Sequence, residues 1–244
     1  MPANPGQHIV INDPILANRL FNVLRMAIDD IVELFDGIRV ITIRITDRER
    51  KARNIQAQVI EHHMVEMRTP LMTVALCMLK REAMEQAVYS AAQMGACTIV
   101  PVVTAKSRHR WSSHTEHERL EKIIAAACEQ SKNYAVPRLT EPMPLESYLR
   151  LYNAERRIFF DITGKPITDM VNFLESEKPT SLSLIIGPEG GFIPAEIELL
   201  KEKELSPFSL TPTILRSRDA ACLGIGTVSS VLFKDSPCVK VEKA

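Results

Sequence analysis

A short strand, a glycine-rich turn and a helix follow one another between residues 182 and 198, and this succession constrains the fold more than any other part of the chain. Leu182–Ile186 is an apolar run of the length and β-branching expected of a buried parallel strand. The sequence GPEGG at 187–191 predicts a turn, because glycine lets the backbone approach another group closely. Pro194 and Glu196 are typical of a first helical turn. The succession predicts a ligand-binding turn at the end of a strand, although a tight turn without a ligand fits it equally well.

Residues 71–244 alternate apolar strands with amphipathic helices, which predicts a parallel α/β sheet. Leu71–Cys77 and Cys97–Val103 are continuous apolar runs. Between them, Arg81–Met94 carries an apolar stripe at helical spacing. The last helix, over Arg218–Leu232, is rich in small residues, which suggests the close approach of another backbone within the fold or across a dimer.

Residues 1–70 predict a separate, small β-rich unit. A strand is expected at His8–Ile11 and a helix over Ala17–Met26. The Asp36-Gly37 step between two apolar runs is a hairpin signal. A linker is expected at Glu66–Pro70, because proline restricts the residue before it. We therefore predict one domain over residues 1–70 and a second over residues 71–244.

A second motif, LTPTILR at 210–216, precedes the sequence SRDAA at 217–221, where the last helix is expected to begin. The combination of GPEGGF and ILR, in this order and at this spacing, resembles the SPOUT class of S-adenosylmethionine-dependent RNA methyltransferases. More narrowly, it is similar to the bacterial family that methylates N3 of a uridine in 16S ribosomal RNA. The resemblance covers nearly the whole chain.

The resemblance implies an α/β fold with a SPOUT trefoil-knot methyltransferase domain, built on a parallel sheet and preceded by a small PUA-like β-barrel that binds RNA. The segment RLFNVLR at 19–25 resembles the family's HHLxxVLR, with Asn18 and Arg19 standing where the family has two histidines. The family also implies a cytoplasmic homodimer that acts on the small ribosomal subunit in ribosome biogenesis.

Three loops that follow strands are implied to hold S-adenosylmethionine: Thr104–Ser107, Gly187–Gly191 and Leu210–Arg216. The expected contacts are backbone amides and carbonyls together with apolar side chains. The predicted cofactor-binding residues are Thr104, Ile186, Gly187, Pro188, Gly191, Leu210, Ile214 and Leu215.

The implied reaction requires removal of a proton, because uridine N3 is protonated at neutral pH. Arg216 matches the arginine of the family's ILR, with the implied role of stabilising the developing uridine anion or holding the adjacent phosphate. Where the family continues with TETA, this chain has SRDA at 217–220. Asp219 is therefore our candidate for the base, and the alternative is that it caps the helix.

Cations at several places are candidates for phosphate contacts, which position RNA without reading its sequence. A basic stretch consists of Arg44, Arg48, Arg50, Lys51 and Arg53. Such charge runs favour a solvated hairpin loop, with phosphate contact as the alternative. The loop after the second parallel strand combines cations with Trp111, which suits phosphates and an unstacked base. The predicted RNA-binding residues are Arg19, Arg25, Lys106, Arg108 and Arg218.

Composition adds weaker constraints. The formal net charge is +0, which counts against a strongly basic nucleic-acid binder without excluding local patches. The 5 cysteines are dispersed, as expected of reduced thiols in a cytosolic protein. With no signal peptide or membrane-length apolar run, we expect a soluble protein. The HTEH sequence at 114–117 lacks a further nearby ligand, so no metal site is expected.

Two alternatives remain open. The chain fits a different SPOUT enzyme that modifies transfer RNA or another ribosomal site. It also fits a catalytically silent RNA-binding homologue, because several polar positions depart from the family pattern: Ser90, Gln93, Asn133 and Arg218.

Overall fold

The structure is a computed structural model that describes residues 4–49, 54–107 and 114–235. The predicted RNA contact Arg108, its neighbour Trp111 and the cations at positions 50, 51 and 53 lie outside the described residues. The contacts divide the chain into two units, Met1–Glu66 and Met67–Ala244.

The N-terminal unit is a four-stranded sheet in the order β1-β4-β3-β2, in which every neighbouring pair is antiparallel. Its core consists of alternate residues of β3 and β4, such as Ile43 and Ile55, packed against Leu20 and Phe21. The predicted small β-rich unit is therefore confirmed. The strands are β1 (His8–Ile11), β2 (Ile31–Phe35), β3 (Arg39–Glu49) and β4 (Asn54–Met64).

The first helix begins and ends earlier than predicted. Helix α1 covers Pro14–Asn18 and continues into a π-helical turn, Arg19–Val23. Asp13 caps it by accepting hydrogen bonds from the amides of Ile15 (2.9 Å) and Leu16 (3.0 Å). Arg25 has a φ of 57° and so lies beyond the helix. The prediction that Arg25 lies on this helix was wrong, because the chain turns into the left-handed region at that residue.

The second unit contains a seven-stranded sheet in the order β11-β9-β10-β5-β6-β7, with β8 also paired to β6. All of its strand pairs are parallel, which confirms the predicted parallel α/β sheet. The apolar strands β5 and β10 lie side by side at its centre. The strands are β5 (Leu71–Cys77), β6 (Thr98–Val103), β7 (Arg138–Leu139), β8 (Met143–Pro144), β9 (Arg156–Pro166), β10 (Ser181–Ile186) and β11 (Ser206–Ser209).

Helices connect these strands and bury one stripe of side chains each. On α2 the buried stripe is the predicted one, and it includes Met84, Ala87, Val88 and Ala91. Helix α2 packs against both α3 and α7. The helices are α2 (Arg81–Gln93), α3 (His114–Ser131), α4 (Leu145–Leu151), α5 (Ile167–Glu177), α6 (Pro194–Glu202) and α7 (Ser217–Leu232).

Strand β9 is longer than the predicted Arg157–Asp161, because its polar second half pairs with β11 after a register shift between Pro207 and Phe208. The two backbones approach closely there: a Cβ on Gly164 would lie 2.6 Å from backbone atoms of Phe208. Glycine is therefore required at this crossing.

The small residues of α7 allow a close approach within the fold, as predicted, but the partner at Gly224 is a side chain. A Cβ on Gly224 would overlap the ring of Phe160, which lies on β9. The absence of a side chain at Gly224 therefore lets α7 lie directly against that ring.

Candidate functional site

A cleft of about 400 Å³ opens after the carboxyl ends of β10 and β11, beside the middle of β9, which lies between them in the sheet. The glycine turn after β10 and the loop after β11 form two of its walls, and the middle of β9 forms a third. Because these are neighbouring parallel strands, their carboxyl ends meet at the same edge of the sheet. The lining residues are Phe160–Ile162, Ile186–Phe192, Ser209–Thr211, Thr213–Leu215, Ser217 and Ala220.

Seven of the eight predicted cofactor-binding residues line this cleft, and Thr104 is the exception. Thr104 is buried at the end of β6. Its amide donates to the Ser107 hydroxyl at 3.0 Å, and the two hydroxyl groups lie 2.9 Å apart. Thr104 therefore closes its own loop and does not contribute to the cleft wall.

The loop after β6 is tied by one hydrogen bond to the glycine turn and by another to the helix α6 that follows it. Lys106 Nζ donates to the Gly190 carbonyl at 2.8 Å. The Ala105 amide donates to Glu196 Oε1 at 2.7 Å. Lys106 was predicted as an RNA contact, and the structure places its ammonium group on the glycine turn.

Glu196 is a buried carboxylate whose two oxygens both have partners. Besides the Ala105 amide, it accepts the Ile193 amide at 3.0 Å through Oε2, which caps the start of α6. Such charge-assisted bonds compensate for burying the charge. Burial raises the pKa of the neighbouring Cys77 thiol well above its ordinary value, and the Glu196 charge raises it further.

The cleft has the properties of a site for a small organic ligand. Its volume lies within the roughly 300–1,000 Å³ of such pockets. The side chain of Ile214 is 85% exposed beside it, although a large apolar group in water is unfavourable. Gly191 has a φ of 67° with nothing near its Cβ position, so the turn needs glycine for its backbone conformation. The cleft therefore offers a ligand both backbone polar groups and apolar side chains.

A family model for the RNA methyltransferase domain matches residues 67–229, which is more than half of the chain. The chain belongs to this RNA methyltransferase family. The match covers every strand of the parallel sheet and both loops that form the cleft.

Known members and solved structures resemble this RNA methyltransferase over most of their length. The ribosomal RNA small subunit methyltransferase E of Rickettsia conorii is 28% identical over 84% of this chain and 83% of its own. A Legionella pneumophila protein described as a methyltransferase, solved with bound SAM, is 27% identical with a TM-score of 0.81, covering 96% of this chain and 95% of its own. The Neisseria gonorrhoeae methyltransferase E shares the fold, with 23% identity, a TM-score of 0.81 and coverage of 95% and 94%.

A second cleft of about 520 Å³ in this RNA methyltransferase is lined by the side chains of Lys80, Arg216 and Arg218. We call it the cation cleft and the first one the glycine-turn cleft. Lys80 immediately precedes α2, and Arg216 immediately precedes α7. Glu82 and Glu189 also line the cation cleft, so it offers three cations and two carboxylates.

The predicted base, Asp219, lies in the first turn of α7 and lines neither cleft. Its Oδ1 accepts a hydrogen bond from Arg218 Nε at 3.1 Å, and Arg218 also reaches Gln86 Oε1 at 3.4 Å. The N-cap of α7 is Arg216, so the alternative that Asp219 caps the helix was wrong. The role of Asp219 as a base stays a prediction.

The remaining predicted RNA contacts belong to the N-terminal unit. Arg19 begins the π-helical turn and Arg25 follows it, and both side chains are exposed. Their role stays a prediction.

Asn133, which replaces the arginine of the family pattern, has a structural use in this chain. It is 4% exposed, and its Nδ2 donates to the Ala92 carbonyl at 2.8 Å. That carbonyl lies near the end of α2, where helical carbonyls lack partners within the helix. This departure therefore stabilises a helix end.

The two histidines of the HTEH segment lie next to carboxylates of glutamates. His114 lies 3.2 Å from Glu118, and His117 lies 3.4 Å from both Glu121 and Glu141. Within residues 4–49, 54–107 and 114–235, no group of three metal-binding side chains occurs. In the same part of the chain, no helix is both long and apolar enough to cross a membrane.

The residues of these clefts that sequence reasoning missed include Phe160 on β9, Lys80 before α2 and Glu189 in the glycine turn. Glu189 belongs to the GPEGG motif, and its ionisable carboxylate could have identified it as a candidate site residue. Phe160 and Lys80 come to the site only through the order of strands in the sheet, which no local pattern encodes.

Proposed function

We propose that this protein transfers a methyl group from S-adenosylmethionine to N3 of a uridine in 16S ribosomal RNA. The observation that carries the proposal is the glycine-turn cleft, which gathers seven residues predicted to hold the cofactor. The relatives support the substrate, since those named ribosomal RNA small subunit methyltransferase E align over most of the chain. The Legionella structure with bound SAM supports the cofactor.

In this proposal the cofactor is held by the backbone of Gly187, Pro188 and Gly191. Its apolar parts lie against Ile186, Leu210, Ile214 and Leu215. Bound there, S-adenosylmethionine supplies an electrophilic methyl group carried on a sulfonium. Backbone groups in a fixed turn need no reorganisation when the ligand binds, which favours affinity. The ties from Lys106 and Glu196 support this turn from behind.

The cation cleft receives the target nucleotide. Arg216 stabilises the negative charge that develops on the uridine as N3 loses its proton, because a guanidinium donates hydrogen bonds in a fixed plane. Lys80 and Arg218 contact the flanking phosphates and position the RNA. The target base has to leave any stack in order to enter.

The resemblance to the SPOUT class extends this proposal to features of the whole molecule. We infer a trefoil knot in the methyltransferase domain of residues 71–244. The domain of residues 1–70 is a PUA-like RNA-binding barrel, to which Arg19 and Arg25 contribute. Two further RNA contacts, Lys106 and Arg108, belong to the loop after β6 in the methyltransferase domain. The protein acts in the cytoplasm as a homodimer, and the second subunit completes the RNA site.

The decisive experiment uses S-adenosylmethionine labelled in its methyl group and small ribosomal subunits from cells that lack this protein. Digestion of the RNA and chromatography of the nucleosides should show label in N3-methyluridine. Label in a different nucleoside would favour another SPOUT activity, and transfer RNA should be tested in parallel. No transfer to either RNA, together with no cofactor binding in calorimetry, would indicate a silent homologue.

Arg216 offers a test of the site itself. Arg216→Ala should lower the rate of methyl transfer about 10²- to 10³-fold, as for loss of a group that stabilises developing negative charge. Cofactor affinity should stay unchanged, because Arg216 does not line the glycine-turn cleft. Arg150→Ala removes an exposed arginine at the end of α4 and is the matched control.

A further inference from the structure

The glycine-turn cleft and the cation cleft share part of one wall. Four residues line both: Glu189, Ile214, Leu215 and Ser217. A ligand in one cleft and a ligand in the other would therefore meet at these side chains. The inference that follows rests on the function proposed above, in which the methyl donor occupies the first cleft and the uridine the second.

The shared wall is where the proton acceptor has to be. A general base acts within hydrogen-bonding reach of the proton that it removes, about 2.6–3.2 Å between heavy atoms. N3 of the uridine must face the methyl group during transfer, so N3 and its proton lie at the meeting point of the two clefts. A carboxylate outside the shared wall cannot approach N3 as closely.

Among the four shared residues, only Glu189 carries a carboxylate. Ile214 and Leu215 have no ionisable group, and the Ser217 hydroxyl is a weak base on a residue that is 8% exposed. Glu189 is exposed to the clefts. Over the described part of the chain, no hydrogen bond or ion pair engages its side chain, so its oxygens are available to a ligand.

The other carboxylates near the site are less well placed. Glu82 lines only the cation cleft, and Asp161 lines only the glycine-turn cleft, where its Oδ1 accepts the Thr163 amide at 2.8 Å. Asp219 lines neither cleft, and Arg218 holds its Oδ1 at 3.1 Å.

The backbone under Glu189 is fixed although its side chain is free. The Gly191 amide donates to the Pro188 carbonyl at 2.9 Å, which closes a turn around Glu189 and Gly190. Lys106 Nζ holds the Gly190 carbonyl at 2.8 Å. A base mounted on a rigid turn loses little conformational freedom when it engages its substrate.

We propose that Glu189 is the general base of this enzyme. Its carboxylate takes the proton from uridine N3, and the electron pair of the broken N–H bond remains on N3. That pair forms the new N–CH3 bond, while the pair of the S–CH3 bond stays on sulfur and neutralises the sulfonium. The proton on Glu189 then passes to solvent through the open cleft.

Glu189→Gln tests this role, because it keeps the size and polarity of the side chain and removes the proton acceptor. The rate of methyl transfer at neutral pH should fall about 10²- to 10⁴-fold, the usual contribution of a general base. Raising the pH should restore much of the rate, since the uridine itself then loses the N3 proton. Glu189→Asp should retain more activity than Glu189→Gln, because it keeps a carboxylate.

Two binding measurements separate a base from a structural group. Glu189→Gln should bind S-adenosylmethionine in calorimetry as the parent does, and should bind the RNA equally well or more tightly, because a negative charge near phosphates is lost. Asp219→Asn and Glu82→Gln are compared in the same assays. In neither variant should the rate of methyl transfer recover at high pH as it does in Glu189→Gln.

A normal rate in Glu189→Gln would overturn the inference, and so would loss of cofactor binding or a low rate that high pH does not restore. If Asp219→Asn instead shows the restored rate at high pH, the base is Asp219. These outcomes differ from failure of the proposed function. In that case the unmodified protein makes no N3-methyluridine at any pH.

Discussion

Glu196 and Ala105 are 91 positions apart in the chain, and the carboxylate of the first accepts the amide of the second at 2.7 Å. The bond joins the loop after β6 to the helix that follows the glycine turn. The other oxygen of Glu196 accepts the Ile193 amide, so one buried side chain fixes two segments next to the glycine turn. The shape of that turn thus depends on a residue that does not line the cleft.

Glu196→Gln should lower the free energy of unfolding by about 1–3 kcal/mol, because the amide NH2 group would face a backbone N–H and leave it unsatisfied. The affinity for S-adenosylmethionine should weaken as well. Urea unfolding and calorimetry measure the two effects. Glu198→Gln, an exposed change on the same helix, is the control and should shift stability by no more than about 0.5 kcal/mol. Equal stability of the two variants would contradict the prediction.

The two glycines of α7 should respond oppositely to alanine. At Gly224 a methyl group would overlap the Phe160 ring, so Gly224→Ala should destabilise the protein by about 1–3 kcal/mol, as overpacking does. At Gly226 the nearest atom is Met94 Sδ at 3.5 Å, an ordinary contact. Gly226→Ala should therefore gain up to about 1 kcal/mol from helix propensity. Thermal unfolding of both variants checks the contrast, which fails if both shift in the same direction.

Lys80 and Arg218 should each account for about one phosphate contact. Lys80→Ala and Arg218→Ala should weaken RNA binding and reduce the slope of log K against log salt by about one each. The measurement is fluorescence anisotropy with a labelled RNA at several salt concentrations. Lys201→Ala, which removes a cation from α6, should leave the slope unchanged. A Lys80 or Arg218 variant with the parental slope would exclude that residue from phosphate contact.

Stability should decline in alkaline solution, partly because of Cys128. Burial raises the pKa of this thiol from 9.0 to about 11, and the Glu129 charge adds to the effect. Above pH 9 the unfolded chain loses the thiol proton while the folded chain keeps it, so this part of the stability is lost as the pH rises towards about 11.

Unfolding in urea between pH 8 and 11 tests this expectation. Cys128→Ala should make the decline shallower, whereas Cys222→Ala, at an exposed thiol, should not change it. An identical slope in the parent and Cys128→Ala would show that other groups cause the decline.

Strands buried on both faces were predictable, because β5 and β10 are continuous apolar runs. Each of these strands ends at the residue predicted from its apolar run. The second half of β9 was not, since its polar residues become a strand only through pairing with β11. The start of α1 was missed although Asp13 and Pro14 are a recognisable N-terminal signal. Features such as the second half of β9 depend on packing between segments that are distant in the sequence.

The same distinction holds for the site. Gly187 was predictable from the pattern of strand, glycine turn and helix. Leu210 was implied by the family resemblance, and both residues line the glycine-turn cleft. Two other contacts were not predictable, because they depend on side-chain geometry that a sequence motif does not specify. Asp219 pairs with Arg218, and Asn133 donates a hydrogen bond to the Ala92 carbonyl near the end of α2.

The ring of Phe160 occupies the space that a side chain at position 224 would need, and the ring also forms part of the glycine-turn cleft. The two positions therefore share a fixed volume. A relative of this protein can enlarge residue 224 only if it shrinks residue 160, and that exchange would reshape a wall of the glycine-turn cleft. Covariation of these two positions would thus record selection on the cleft at a residue that never touches the ligand.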